Sequence, residues 1–559
     1  MLRSPRAEAL DPENIALIQQ TQMEVEGARA SQDELGTGRG FLPTRLIDLG
    51  HKEDPSPRLV LSRDIAGTIS SREVRYAALS YCWGSPVEAA AQFKTTHGVL
   101  AKRLTSIDIN TTTAVIRDAA QVCKALDIRY LWVDSVCILQ DGMHDWERES
   151  PQMVLIYNNA AITICPLSSI SCTQGFLDRT GDSIRMPFCS QIHPNIVGHY
   201  KLRYKGLLDS NSLSTFIACN EYDDLVDSRW LTRGWTFQEM HSSKCIVFFG
   251  TQRVHLMTSN GLLIESQKEL VSMRPEIAWL NTQIPIQSDD SYEFLCNRWM
   301  DLVQGYSGRQ LSHATDKLPA LSGLANYFQG RLDDSYIVGM WEGDLIRELL
   351  WSSSDTFTDM ENLMNSFRPS PYYIAPSWSW ISQNHEIQFS HYHPPTIISG
   401  GSYKDYKPEY KYLIPSVTLN SSGANKFGRI DDASLTIASR SFRVQNAFQR
   451  ISDRYGIIMP WHVKGEGDEY LANCSLDWED GRSADHQLEL LLLGSCKGKY
   501  EQAGRDQRHA WGLLICSAEK LDVHGVAQFY RVGTFYSNPK DGGGLAVFET
   551  CPEKTVCLI

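Results

Sequence analysis

The chain has 559 residues, more than one hydrophobic core usually organises, so two or three domains are expected. Its 42% hydrophobic and 21% charged content is that of an ordinary soluble globular protein, and a formal net charge of -13 argues against nucleic acid as the main partner, because phosphate binding needs a basic face. Fourteen cysteines without a repeating spacing point away from a disulfide scaffold and towards reduced thiols.

The opening stretch MLRSPRAEALDPENIALIQQ lacks the unbroken apolar run of a secretory signal, and no later run approaches the ~18 apolar residues of a membrane helix. The expectation is a cytoplasmic protein with no membrane partner. At the other end TVCLI comes close to a prenylation box, but Cys557 sits one place too near the terminus and Val556 holds the required position.

Residues 1–41 read as a leader and loop, with a helical pattern around 15–25 followed by GTGRGF from Gly36. That glycine run has neither the preceding strand nor the following helix of a phosphate cradle, so a plain loop is predicted. From Leu42, LPTRLIDLG leads into two apolar segments, 59–61 and 77–81, both predicted strands. Over 111–126, Val115, Ala119, Val122 and Leu126 share one helical face, with Asp108 or Thr111 placed to cap its start. The run 130–133 is too short for a helix and carries aromatic and β-branched residues, which predicts a buried parallel strand.

Trp146, Met153, Ile156 and Tyr157 fall at helical spacing, interrupted at Pro151, which cannot donate its backbone bond. A strand over 161–165, a helix over about 231–241 and a strand over 245–249 continue the alternation. Strand and helix in turn imply right-handed crossovers and a parallel sheet, giving an α/β domain over 42–270.

Residues 271–385 read as a helical segment packed on that core, with helices over 292–304 and 316–327. In DSYIVGMWEGDLIRELLWSS, Ile337, Trp341, Leu345 and Leu349 share a helical face, although Gly339 and Gly343 weaken its first half. Residues 386–559 read as a β-rich region. From Tyr403 onward, runs such as SLTIASRSFRV, LELLLLGSC, HAWGLLICSA and FYRVGTFY are separated by Gly, Asn and Asp, the punctuation of antiparallel strands. No fixed-period repeat or low-complexity tract interrupts the pattern.

Three blocks carry a further signal: YAALSYCWGSP from Tyr76, RYLWVDSVCILQDGMHDWERESPQMVLIYNNAAITI from Arg129 and SRWLTRGWTFQEMHSSKCIVFFG from Ser228. Each joins a strand-like run to polar residues at its C-terminal end, where open α/β sheets place their chemistry. In this order they resemble the HET (heterokaryon incompatibility) domain of filamentous fungi. YSGRQLSHATDKLPALSGLA from Tyr306, the pair Leu350 and Trp351, APSWSWIS from Ala375 and GTFY around Thr534 are similar to segments that accompany the domain.

The resemblance implies a role in non-self recognition and programmed cell death, with self-association or another incompatibility protein as partner, but supplies no reaction by itself. HET domains look distantly like TIR domains, flavodoxin-like modules that assemble with each other and in some members cleave NAD⁺ through a glutamate. The implied fold is therefore α/β, a TIR/flavodoxin-like parallel-sheet core with an added helical segment and a C-terminal antiparallel β region. NAD enters as a possible substrate and no cofactor is certain.

Glu239 in WTFQEM is the first candidate for a catalytic carboxylate. Cleaving a nicotinamide bond builds positive charge on the ribose, which a carboxylate in a low-dielectric pocket could stabilise. Leu231, Trp235 and the pair Gln238 and Glu239 share a helical stripe, so Glu239 could face the sheet edge. The competing reading pairs it with Arg233 or Arg229 to hold the helix. Asp134, at the end of the strand LWV, is the second candidate, since a carboxylate there points into the ligand crevice; the bland alternative is a cap for the turn that follows.

Trp83 and Gly84 could supply a stacking face and close backbone approach, against ordinary packing. Trp235 is a second aromatic candidate. Arg233 could fork onto a phosphate, against a salt bridge to Asp223, Asp224 or Glu239. Cys137 has no partner base for thiolate formation and reads as structural. Trp378 and Trp380 read as packing. No CxxC pair, HExxH, calcium loop, Walker loop or nucleophile elbow occurs; Cys165 with Cys172 lacks metal spacing, and His391 and His393 in HYHPP read as a solvated loop.

These residues leave three functions open: a signalling effector, an NAD⁺ nucleosidase centred on Glu239, and a HET-fold enzyme recruited to a small-molecule biosynthetic pathway, with the β-rich region shaping its cleft. All depend on Trp83, Asp134 and Glu239 meeting at one rim.

Overall fold

Short apolar runs alternating with amphipathic helices produce, in the computed structural model, a sheet flanked by helices in the first of two units, Met1–Pro285, while the second, Ile286–Ile559, is dominated by antiparallel strands. The structure describes residues 8–31, 41–51, 56–66, 74–179, 183–193, 195–203, 225, 227–251, 253–265, 290–353, 355–367, 373–389, 416–421, 425–445, 448–452, 458–465, 469–482, 486–497 and 508–559. GTGRGF up to Gly40, Asp223, Asp224, His391, His393 and the chain around Tyr403 lie outside the described residues.

In the first unit the strands are β1 (Arg45–Asp48), β2 (Arg58–Leu61), β3 (Tyr76–Leu79), β4 (Tyr130–Trp132), β5 (Ile162–Pro166), β6 (Ser183–Cys189), β7 (Val197–Arg203), β8 (Cys245–Phe249), β9 (Val254–Thr258) and β10 (Gly261–Ile264). Eight of them form one sheet in the order β10-β9-β8-β5-β3-β4-β1-β2. The four central strands are parallel: β3 pairs with β4 on one side and β5 on the other, and β5 pairs with β8. The chain thus steps from β3 to β4, then back across β3 to β5. That reversal is the topological switch point of doubly wound sheets, where a crevice opens outside the carboxyl ends of the strands.

The outer strands β1, β2, β9 and β10 pair antiparallel, which the parallel expectation did not include. β1 had no strand signal of its own, because its four buried residues include Arg45 and Asp48. Both are satisfied by ion pairs: Arg129 grips Asp48 at 2.7 Å, and Arg45 grips Asp145 at 2.8 Å.

Helix α1 (Pro12–Ser31) covers the stretch read as a leader, yet it packs against β8 and β9, and its Ile18 is fully buried in the main core. Short helices α2 (Ser62–Ala66), α3 (Pro86–Ala90) and α4 (His97–Thr105) precede α5 (Ala114–Ala125), which buries Val115, Ile116, Ala119, Val122 and Cys123. Its N-cap is Thr113 and not the expected Asp108 or Thr111; the Asp108 carboxylate instead accepts from Asn110 N at 3.0 Å and starts a separate single turn. After α6 (Asp134–Cys137), helices α7 (Met143–Glu149) and α8 (Met153–Asn159) are separated by a tight turn containing Pro151, the predicted break. Helix α9 (Gly234–Ser242) leads into β8.

In the second unit the first half of 336–349 is not the helix its periodicity suggests, whereas Leu345–Glu348 in the second half is helical. Tyr336–Ile337 and Met340–Trp341 pair as a hairpin whose two-residue loop places Val338 at φ 43° and Gly339 at φ 92°. Two consecutive positive φ values are the I′ turn that matches strand twist, and they override the helical spacing. Trp299, Trp351, Trp378 and Trp380 are fully buried nearby, with both Trp299 and Trp380 donating to the Gly339 carbonyl at 3.0 Å. The predicted β-rich region forms a nine-stranded sheet in which Glu553–Leu558 pairs with both Asp432–Arg443 and Ala527–Ser537, so the pairing runs in a closed circuit.

Candidate functional site

At the switch point, β3 continues as Ser80, Tyr81, Cys82, Trp83 and Gly84, and β4 continues through Val133 into Asp134 at the start of α6. Asp134 is held twice: Ser135 N donates to Oδ1 at 2.6 Å, and the Trp83 indole donates to Oδ2 at 3.0 Å. The first bond goes to the adjacent backbone N–H and is not a helix cap, since Val133 is the N-cap of α6 with no side-chain cap bond, and the second ties the carboxylate to the neighbouring strand end. Burial pushes the Asp134 carboxyl above its ordinary range, opposed by these donors and by the charge of Arg233.

Glu239 arrives from α9, in its last turn, and is 7% exposed. Its partner is Ser80. The Trp230 indole donates to Ser80 Oγ at 2.7 Å, and Ser80 in turn donates to Glu239 Oε2. Because the indole can only donate, the serine hydroxyl proton is directed at the carboxyl group. Desolvation pushes Glu239 up to about 7; the negative charge of Asp134 pushes the same way, while Ser80, Arg233 and Tyr157 oppose it. Two carboxyl groups that feel each other inside a poorly solvated edge are the arrangement from which enzymes obtain one proton donor and one anion.

The structure therefore brings Trp83, Asp134 and Glu239 together. Arg233, the residue just before α9, joins them through its charge, which acts on Asp134, Glu239 and Cys82. Trp83, Gly84, Asp134, Arg233 and Trp235 are each half-buried, whereas Glu239 is buried. The aromatic faces are partly engaged within the protein: Lys94 Nζ lies 5.2 Å from the Trp83 ring centroid, and Trp235 meets Trp146 edge to face at 6.2 Å. Gly84 has φ 95°, and a Cβ there would fall 2.5 Å from Ser171 Cβ and 2.7 Å from Glu88 Oε2. The glycine thus serves the turn, with protein atoms occupying the space beside it.

Sequence reasoning missed Ser80, Trp230 and Tyr81. Tyr81 accepts from Gln92 and donates to Ser135 Oγ at 3.2 Å, which steadies the α6 turn beneath Asp134. The usable signal was a serine immediately after a strand, combined with SRW five residues before α9. Cys137 is buried, and desolvation pushes its thiol up to about 12, the opposite of an activated nucleophile. Cys165 and Cys172 are both buried, and among the described residues no group of three or more metal-ligating side chains comes together. In the second unit a cleft of about 660 Å³ is lined by Asn326, Gln329, Gly330, Asp333, Asp334 and Ser335, which offer amides and carboxylates and no aromatic face.

Residues 76–239 match the family model described as heterokaryon incompatibility protein (HET). The matched segment starts at the first residue of β3 and ends on Glu239, so it encloses the whole carboxylate centre. No curated protein and no solved structure matches the chain.

Proposed function

We propose that this protein is an effector of fungal non-self recognition that acts in the cytoplasm, triggers growth arrest or cell death through its α/β unit, and uses the centre built by Asp134 and Glu239 as its working site. The observation that carries this reading is the coincidence just described: the family match spans the strand ends, helices and loops that build the centre. The trigger is self-association or pairing with another incompatibility protein. Induced expression in a filamentous fungus tests it. Wild-type protein arrests growth, and Asp134→Asn and Glu239→Gln at equal amounts of folded protein do not; arrest by both variants as strong as wild type would contradict it.

A second reading is favoured by one specific feature, a glutamate pushed up to about 7 beside a second carboxyl group and an arginine. These are the parts that hydrolysis of a nicotinamide N-glycosidic bond requires. As the bond breaks, nicotinamide leaves with the electron pair and the ribose gains positive charge; an ionised carboxylate stabilises that charge, water adds at the anomeric carbon, and its proton is released. In this reading Arg233 holds the pyrophosphate and Trp83 and Trp235 bound the rings. Nicotinamide release from NAD⁺ by purified protein, abolished in Glu239→Gln, supports this chemistry; no release from the assembled protein confines the centre to signalling.

A further inference from the structure

Between Asp182 and Asp209 the chain carries Arg185, Lys201, Arg203 and Lys205 and no further acidic residue, in a protein whose formal charge is -13. Most of this stretch forms a hairpin, with β6 and β7 pairing antiparallel from Ser183 opposite Arg203 to Cys189 opposite Val197. The two strands make a sheet of their own, separate from the eight-stranded sheet. A lone two-stranded hairpin is marginal in water.

The tip is closed by two backbone bonds and one to a side chain. Ser190 N donates to Ile196 O at 2.9 Å, Ile196 N to His193 O at 2.8 Å, and His193 N to Ser190 Oγ at 3.1 Å. This closed loop holds three branched aliphatic side chains in solvent: Ile192 is 83% exposed, Ile196 52% and Val197 72%. Single exposed aliphatics are ordinary, but three grouped on one closed loop are not. Behind them, Arg185 lies opposite Lys201 in the register, four positions from the strand end at Cys189. At the strand rise this sets the basic pair about 13 Å behind the loop.

An exposed aliphatic tip on a hairpin whose sequence is basic fits the interface of an anionic bilayer, where aliphatic side chains enter the headgroup boundary by about 5–10 Å and Lys or Arg meet the phosphates. We infer that the β6–β7 hairpin docks the protein on anionic lipid surfaces. Peripheral docking needs no spanning segment, and among the described residues no helix is long and apolar enough to cross a membrane. The sequence-based expectation of no membrane partner rested on the absence of such a run, which leaves this mode untouched. An acidic protein would satisfy the basic residues but would leave the aliphatic tip without a purpose.

The test is co-sedimentation of the full chain with vesicles of phosphatidylcholine alone or mixed with phosphatidylserine. The protein should pellet with the mixed vesicles and not with phosphatidylcholine alone, and release at 1 M salt, where the screening length falls to about 3 Å. The pairs Ile192→Asp with Val197→Asp, and Arg185→Glu with Lys201→Glu, should each weaken binding by about tenfold or more. Thermal unfolding midpoints of both variants should equal wild type, which separates lost docking from lost folding. The inference is overturned by no pelleting with mixed vesicles, by equal pelleting with both kinds, by tip variants that bind as wild type, or by binding to polyglutamate in place of vesicles. None of these outcomes bears on Glu239, so the two proposals fail separately.

Discussion

Glu239 is a buried acid that prefers its proton, and this has a measurable sign. Its folded value is pushed up to about 7 from an ordinary 4.5, so the native state binds the proton more tightly than the unfolded chain. Stability is therefore undiminished below about 4.5, falls as pH rises through the window to about 7, and is level above it, with a total loss on the order of 3 kcal/mol. Urea unfolding of wild type and Glu239→Gln at several pH values should show this slope in wild type and its loss in the variant, because the amide has no charge to bury. Ser80→Ala removes a hydrogen bond that favours the ionised form, so the fall should extend above 7. Trp83 and Asp134 were legible because strand ends advertise themselves in sequence, and Glu239 because it falls at helical spacing from Leu231 and Trp235. Ser80 and Trp230 were not: which hydroxyl an indole reaches across 150 positions is decided by tertiary packing alone.

Elements in the first unit are joined by buried charge as well as by apolar contact. Asp145 on α7 accepts from Arg45 of β1 through both oxygens, from Leu139 N at 2.8 Å, and from Arg148 at 2.5 Å. Asp145→Ala would leave Arg45 buried and uncompensated, at a cost of about 3–5 kcal/mol in denaturant unfolding. The sequence showed α7 and α8 by their apolar spacing but hid β1, since an arginine and an aspartate inside a four-residue strand look like loop. The same kind of failure explains 336–341, where apolar residues at helical spacing sit on a hairpin turn that glycine eases. Gly339→Ala would add a Cβ 2.8 Å from Trp380 Nε1 at φ 92°, and should lower stability by on the order of 2 kcal/mol.

At the scale of the molecule, each unit holds a core of its own: one is centred on the eight-stranded sheet, the other on the nine-stranded circuit with the fully buried Arg531 paired to Asp477 at 2.6 Å. Amide exchange should resolve them, with Asp145→Ala raising exchange around β1 and β4 and Arg531→Met raising it around Ala527–Ser537 and Tyr470–Leu476. The sequence predicted this contrast in character, because strand–helix alternation and Gly-punctuated strands are local patterns. It could not predict the closed pairing circuit, which depends on a C-terminal strand returning to partners far away in the chain. The account rests most heavily on Asp134 and Glu239 forming one coupled centre, and carbon-13 titration of the Glu239 carboxyl in wild type and in Asp134→Asn measures that coupling. It predicts a midpoint near 7 in wild type that falls when the Asp134 charge is removed. A midpoint at the ordinary 4.5, or one that does not move in Asp134→Asn, would contradict it.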